Sequence, residues 1–150
     1  MGTLNKLIYD SSPSNRYATL FYAEYHRDTR ELVYVNGGHN APMILRGDEF
    51  IRLEATGPVV GLFRPGVYTE ARITIEDGDL LVGFTDGVSE AMNAQDDEWG
   101  EDALGEFLKS IKSDGVKEMT PKILAAADAF ANGHPQHDDM TLILLRFKNA

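Results

Sequence analysis

Two aspartate turns, far apart in the chain, are the residues best placed to do chemistry. Phe84-Thr85-Asp86-Gly87-Val88 closes the apolar run Leu80-Leu81-Val82, and His137-Asp138-Asp139-Met140-Thr141 opens the run Leu142-Ile143-Leu144-Leu145. Each puts a carboxylate at the end of an expected strand, where the loop is free and the strand beneath it is rigid. If the turns meet, they form a cluster of hard oxygen ligands for a divalent cation, suited to magnesium or manganese rather than zinc. Gly87 lets the backbone turn sharply and lets a ligand come close. The adjacent carboxylates of Asp138 and Asp139 repel each other, a cost unless a cation or hydrogen-bond donors compensate. Either turn alone has an ordinary reading too. Asp86 could cap its own turn, and Asp138-Asp139 could be a solvated pair beside the polar stretch His134-Pro135-Gln136-His137.

Other candidates carry less. His39 lies in the Gly-rich loop Gly37-Gly38-His39-Asn40, where a histidine could act as an acid or a phosphate contact but more often bonds backbone. His134 and His137 lack a third soft ligand at fitting spacing. Asp96-Asp97-Glu98 lacks the ligand alternation and central glycine of a calcium loop and reads as solvated. Tyr17, Phe21, Tyr22, Tyr25 and Tyr34 are expected in a sheet core rather than on a binding platform.

The elements that must position the turns follow from periodicity and turn signals. Leu4 to Tyr9 reads as the last turns of a helix, ended by Asp10-Ser11-Ser12-Pro13. Ala18 to Tyr25 and Glu31 to Asn36 read as paired strands around Asp28-Thr29-Arg30. Met43 to Arg46 and Phe50 to Leu53 form a second hairpin around Gly47-Asp48. Val67 to Ile75 alternates as a strand, and Glu76-Asp77-Gly78-Asp79 signals a tight hairpin into Leu80 to Phe84. Leu104, Phe107, Leu108 and Ile111 mark a helix from Glu101 to Ile111. A second helix is expected from Thr120 as N-cap and Pro121 at the first helical position, stopping near Asn132-Gly133. Met140 to Phe147 is the last strand. Many antiparallel strands with helices outside predict an α+β layered sandwich.

Bulk properties agree with one domain. The chain has 150 residues, 43% hydrophobic and 25% charged, enough for a core without staples. With no cysteine, disulfides, thiolate sites and cysteine nucleophiles are excluded, and a cytoplasmic location is expected. No stretch reaches the roughly 20 apolar residues of a membrane span, and no signal peptide is evident. Lys6 stands where a myristoylation start needs Ser or Thr. A net charge of −10 repels nucleic acid and anionic lipid, so neither is an expected partner. An acidic protein handling a phosphate-like anion would need local cations, which metal ions supply.

Taken together, YATLFYAEY, ELVYVNGGHNAPMIL, GDLLVGFTDGVSEAMNA, EWGEDALGEFL and HDDMTLILLRF resemble, in order and spacing, the PPM-type (protein phosphatase 2C-like) metal-dependent serine phosphatases. Within these, the SpoIIE/RsbU-like bacterial branch is most similar, over Leu4 to Phe147. The resemblance implies an αββα sandwich with a metal site where strand-end carboxylates converge. It implies that Asp86 and Asp138 are catalytic metal ligands, that Gly87 and Asp139 belong to the same metal site, and that Gly38-His39-Asn40 lines it or is structural. It implies two manganese or magnesium ions that activate water for in-line attack on phosphoserine. The implied substrate is a phosphorylated regulatory protein of the anti-sigma-factor antagonist type, with sensor or receiver domains upstream in the parent protein.

One departure qualifies the expectation. The family's first metal motif, an aspartate followed closely by Gly-His-Gly, precedes the segment resembling Leu4 to Tyr9, and this sequence lacks it. The chain is therefore expected to be the C-terminal portion of such a domain, incomplete at its N-terminal side, with little or no activity alone. The alternative is a non-catalytic interaction module with the phosphatase fold and a degenerate site; an unrelated metal hydrolase is disfavoured by the lack of spaced histidines. Missing strands would leave sheet edges uncovered, so self-association as a homodimer is a further expectation.

Overall fold

A computed structural model describes residues 1–13, 15–136 and 138–148. The elements run α1 (Gly2–Ser11), β1 (Leu20–His26), β2 (Glu31–Gly37), β3 (Met43–Arg46), β4 (Glu49–Arg52), β5 (Ala71–Thr74), β6 (Leu80–Phe84), α2 (Asp86–Ser89), α3 (Gly100–Ser110), α4 (Val116–Ala131) and β7 (Leu142–Arg146). They make two sheets, ordered β1-β2-β5 and β4-β3-β6-β7. The strand pairings given by residue register are all antiparallel. The α+β expectation is met.

The chain divides into two compact units, Met1–Ala41 with Arg52–Asp77, and Pro42–Ile51 with Gly78–Ala150. In the first unit, Leu20 to His26 pairs with Gly37 to Glu31 in unbroken register. Helix α1 is held by Asn5, which is almost fully buried. Its Oδ1 accepts from the Gly61 N–H at 2.8 Å and the Tyr68 hydroxyl at 3.0 Å, while its Nδ2 donates to the Phe63 carbonyl at 3.0 Å. A buried amide is stable only when satisfied in this way. The aromatic expectation holds in part. Tyr34 is buried and stacks on Phe21 at 5.7 Å, but Tyr17, Tyr22 and Tyr25 are exposed. Successive strand residues alternate faces, so Tyr22 points away from the face that takes Phe21, and β1 is an edge strand.

In the second unit, Met43, Leu45, Leu80, Val82 and Phe84 from the sheet meet Val88, Leu104, Leu108, Met119 and Ile123 from the helices in one core. Helices α3 and α4 exist because their apolar residues recur at helical spacing and bury on that sheet. Two expectations fail here. Helix α4 starts at Val116, with Gly115 at its N-cap, rather than at Thr120-Pro121. Burial of Met119 draws the earlier turn into the helix. Thr120 Oγ1 bonds back to the Val116 carbonyl at 3.2 Å instead of capping. Pro121, lacking an N–H, is accommodated inside the helix. The turn at Gly78 (φ +87°) is likewise not a hairpin. Strand β5 pairs with β2, and β6 with β3 and β7. The Gly78 N–H donates to the Phe147 carbonyl at 2.9 Å, so the turn serves the β6–β7 ladder.

Leu108 is fully buried in the second unit's core. Leu108→Ala is expected to lower the unfolding free energy by about 2–5 kcal/mol, the usual cost of a buried leucine. Urea denaturation followed by circular dichroism measures it, and a loss below about 1 kcal/mol would contradict the core assignment.

Candidate metal centre

The β6–β7 ladder pairs Leu80 with Arg146 at one end and Phe84 with Leu142 at the other. Both aspartate turns leave from the Phe84–Leu142 end, so pairing delivers them to one place. The contact continues past the strands. The Thr85 N–H donates to the Thr141 carbonyl at 3.0 Å. The Thr141 N–H donates to Thr85 Oγ1 at 2.8 Å, and that hydroxyl donates to the Asp139 carbonyl at 3.0 Å. A Cβ on Gly87 would lie 2.7 Å from the Asp139 carbonyl oxygen and 3.0 Å from that of Asp138. Only glycine allows backbone this close. The two turns therefore meet.

Each carboxylate is oriented locally. Asp86 Oδ1 accepts from the Gly87 N–H at 3.0 Å, and Asp138 Oδ1 from the Asp139 N–H at 2.7 Å. Gln136 Nε2 donates to the Asp138 carbonyl. Asp86, Asp138 and Asp139 are exposed, whereas Gly87, Val88 and Ser89 beneath them are buried. The anchor is thus packed and the acid groups face water.

Sequence reasoning missed Glu90. It follows Asp86 by one helical turn, and its N–H donates to the Asp86 carbonyl at 2.7 Å. Its carboxyl is pushed above the ordinary glutamate range, first by desolvation and then by repulsion from Asp86, Glu98 and Asp138. The i, i+4 spacing was the available signal. No lysine or arginine stands between Leu80 and Leu108 to relieve this crowding.

Hard carboxylate oxygens and uncompensated negative charge fit a magnesium- or manganese-like cation by donor chemistry. Among the described residues, however, no three His, Asp or Glu side chains stand together closely enough to hold an ion. The turns are a partial ligand set. His137 lies outside the described residues. His39 belongs to the first unit, where its Nδ1 and Thr19 Oγ1 share a hydrogen bond of 3.1 Å. Buried Asn36 grips the same loop: its Oδ1 accepts from the His39 N–H at 2.8 Å and its Nδ2 donates to the His39 and Leu53 carbonyls, both at 3.0 Å. That supports the structural reading of the loop. Asp96-Asp97-Glu98 is exposed, in a loop shaped by Asn93 Oδ1 accepting from the N–H groups of Gln95 (2.9 Å) and Asp97 (3.0 Å).

Two antiparallel sheets with helices, carrying paired aspartate turns at one strand end, match the fold of PP2C-like phosphatase domains. Residues 1–148 match the family described as Stage II sporulation protein E (SpoIIE), and the chain belongs to that family. It is 31% identical over 131 residues to Protein IcfG of Synechocystis sp., covering 85% of this chain and 20% of that protein. It is 29% identical over 150 residues to phosphoserine phosphatase RsbU of Bacillus subtilis, covering 97% of this chain and 43% of RsbU. The chain thus spans less than half the length of either relative. The PP2C phosphatase domain of Bacillus subtilis SpoIIE, solved with a fragment of its regulatory domain, has the same fold. Its TM-score is 0.80 at 19% identity, over 96% of this chain and 43% of that one.

Like-charge crowding at Glu90 has a measurable consequence. A glutamate with a raised folded-state pKa contributes stability that is complete below its unfolded-state pKa and is lost as pH rises through the folded value. By NMR titration, the Glu90 midpoint is expected above that of an ordinary exposed glutamate. Asp86→Asn removes one repelling charge and is expected to lower the midpoint part of the way, since desolvation remains. An unshifted midpoint in the unsubstituted chain would show that the carboxylates do not converge.

Proposed function

We propose that this chain is the C-terminal portion of a metal-dependent protein serine/threonine phosphatase domain. The observation that carries the reading is the meeting of the Asp86-Gly87 and Asp138-Asp139 turns at one end of the β6–β7 ladder. Asp86 and Asp138 would hold the cation, manganese or magnesium, with Gly87 and Asp139 beside them. A divalent cation bound there would supply Lewis-acid polarisation of phosphoryl oxygens and a more acidic water. The chain's own part is to fix where the carboxylates stand. The hydrogen bonds from the Gly87 and Asp139 N–H groups orient one oxygen of each, and packed Val88 keeps the Asp86 turn from drifting.

The substrate class we infer is a phosphoserine on a regulatory protein of the anti-sigma-factor antagonist type. The phosphoserine part of that inference is supported by the phosphoserine phosphatase RsbU, 29% identical to this chain. Regulatory sensor or receiver domains upstream in the parent protein, and a cytoplasmic setting, complete the proposal. No helix among the described residues is long and apolar enough to cross a membrane.

A second reading, an interaction module with a degenerate site, is favoured by the lack of a three-residue ligand cluster among the described residues. Phosphate release from a phosphoserine protein, with and without manganese, separates the two. On the phosphatase reading, a longer polypeptide carrying this domain turns over with manganese, and Asp86→Asn lowers kcat at least about 100-fold. The isolated 150-residue chain is expected to be nearly inactive. Full activity of the longer polypeptide after Asp86→Asn would overturn the phosphatase assignment of this site, and robust turnover by the isolated chain would overturn the partial-site account.

A further inference from the structure

Thr85 stands at the N-cap position of α2 in extended backbone (φ −88°, ψ 159°), yet its side chain makes no cap hydrogen bond. A threonine there ordinarily accepts from an N–H of the first helical turn. Its hydroxyl is instead turned across to the other aspartate turn and used twice. It accepts from the Thr141 N–H at 2.8 Å and donates to the Asp139 carbonyl at 3.0 Å. The Gly87 N–H, at a position that a cap side chain serves, donates instead to Asp86 Oδ1.

We propose that Thr85 is a positioning residue whose hydroxyl locks the Asp86 turn to the Asp138-Asp139 turn and so sets the spacing of the carboxylates. The proposal rests on the reading of those carboxylates as cation ligands. The hydroxyl is the only side-chain group among the described hydrogen bonds that ties one turn to the other. The single backbone bond from the Thr85 N–H to the Thr141 carbonyl fixes the ladder's end but reaches neither Asp138 nor Asp139. Without the hydroxyl, no hydrogen bond among the described residues ties Asp139 to the Asp86 turn, and the close backbone approach of Gly87 remains. Groups that orient metal ligands from behind typically set metal affinity within a factor of 10–100.

The test compares Thr85→Val, which keeps the shape and removes the hydroxyl, with Thr85→Ser, which keeps the hydroxyl. Two measurements are made, the first on the 150-residue chain and the second on a longer polypeptide carrying this domain. Without metal, NMR cross-peaks between the Gly87 α-protons and the Asp139 backbone report whether the turns stay joined. With manganese, the electron paramagnetic resonance signal of the free ion reports affinity. The valine variant is expected to lose the cross-peaks and bind manganese about ten-fold more weakly. The serine variant is expected to keep both. Unchanged cross-peaks and affinity in the valine variant, or equal losses in both variants, would overturn the proposal. If the unsubstituted longer polypeptide binds no manganese, the cation-ligand reading fails, while the metal-free cross-peaks still decide the clamp. Should the valine variant unfold, Thr85→Ala and Thr85→Ser, which differ only in the hydroxyl, make the same comparison.

Discussion

The pairing of β6 with β7 is the constraint on which the second unit depends. It brings together segments more than fifty positions apart in sequence, Phe84 and Leu142, and it does so in one register. Leu80, Val82 and Phe84 of β6 and Leu142 and Leu144 of β7 all belong to or pack on the core beneath α3 and α4. A slip of one residue would turn that whole set to the other face. The burial of those side chains therefore fixes the register, and the register fixes where Asp86 and Asp138 emerge. Packing energetics are converted into the placement of charge.

The unit treats its carboxylates in two different ways. Asp79, at the far end of β6, is almost completely buried and accepts from Nε and Nη2 of Arg46, at 3.0 and 2.7 Å. A buried charge demands such a partner. Asp86, Asp138 and Glu90 are exposed, and the charges that act on Glu90 are those of Asp86, Glu98 and Asp138, all acidic. Water makes this arrangement tolerable, since exposed like charges repel weakly. It also leaves the oxygens available. The unit thus pairs a carboxylate with an internal cation where burial demands one and leaves its exposed carboxylates to solvent.

How much of this was legible in the sequence depended on the kind of signal. Strand β6 was read to the residue because Leu80 to Phe84 is a continuous apolar run ended by a turn. The start of α4 was misread because Thr-Pro is a strong local cap signal, and only the burial of Met119 reveals the extra turn. The hairpin at Gly78 failed for a similar reason. A glycine turn specifies a reversal of the chain but not which strand will accept it. The Asp86 and Asp138 turns were visible as residue types, whereas their meeting was implied only by the family resemblance. That meeting depends on β6 choosing β7 as a neighbour, a non-local pairing that no local pattern encodes. Asn5 was invisible too, since a polar residue in a short helix gives no hint that Gly61, Phe63 and Tyr68 will satisfy it.

The short helix α2 shows why a site of this kind is compatible with a stable fold. Four residues cannot form a helix on hydrogen bonding alone. What holds this one is burial: Val88 is wholly inside the core, and Gly87 and Ser89 are buried beside it. Because packing already fixes the first turn, an N-cap bond would add little, and the threonine hydroxyl is free for another task. Gly87 contributes to the same economy of structure. A side chain there would collide with the Asp138 and Asp139 carbonyls, so the lack of one lets the second turn approach. The hydroxyl that makes no cap bond joins instead two acidic turns whose like charges repel each other.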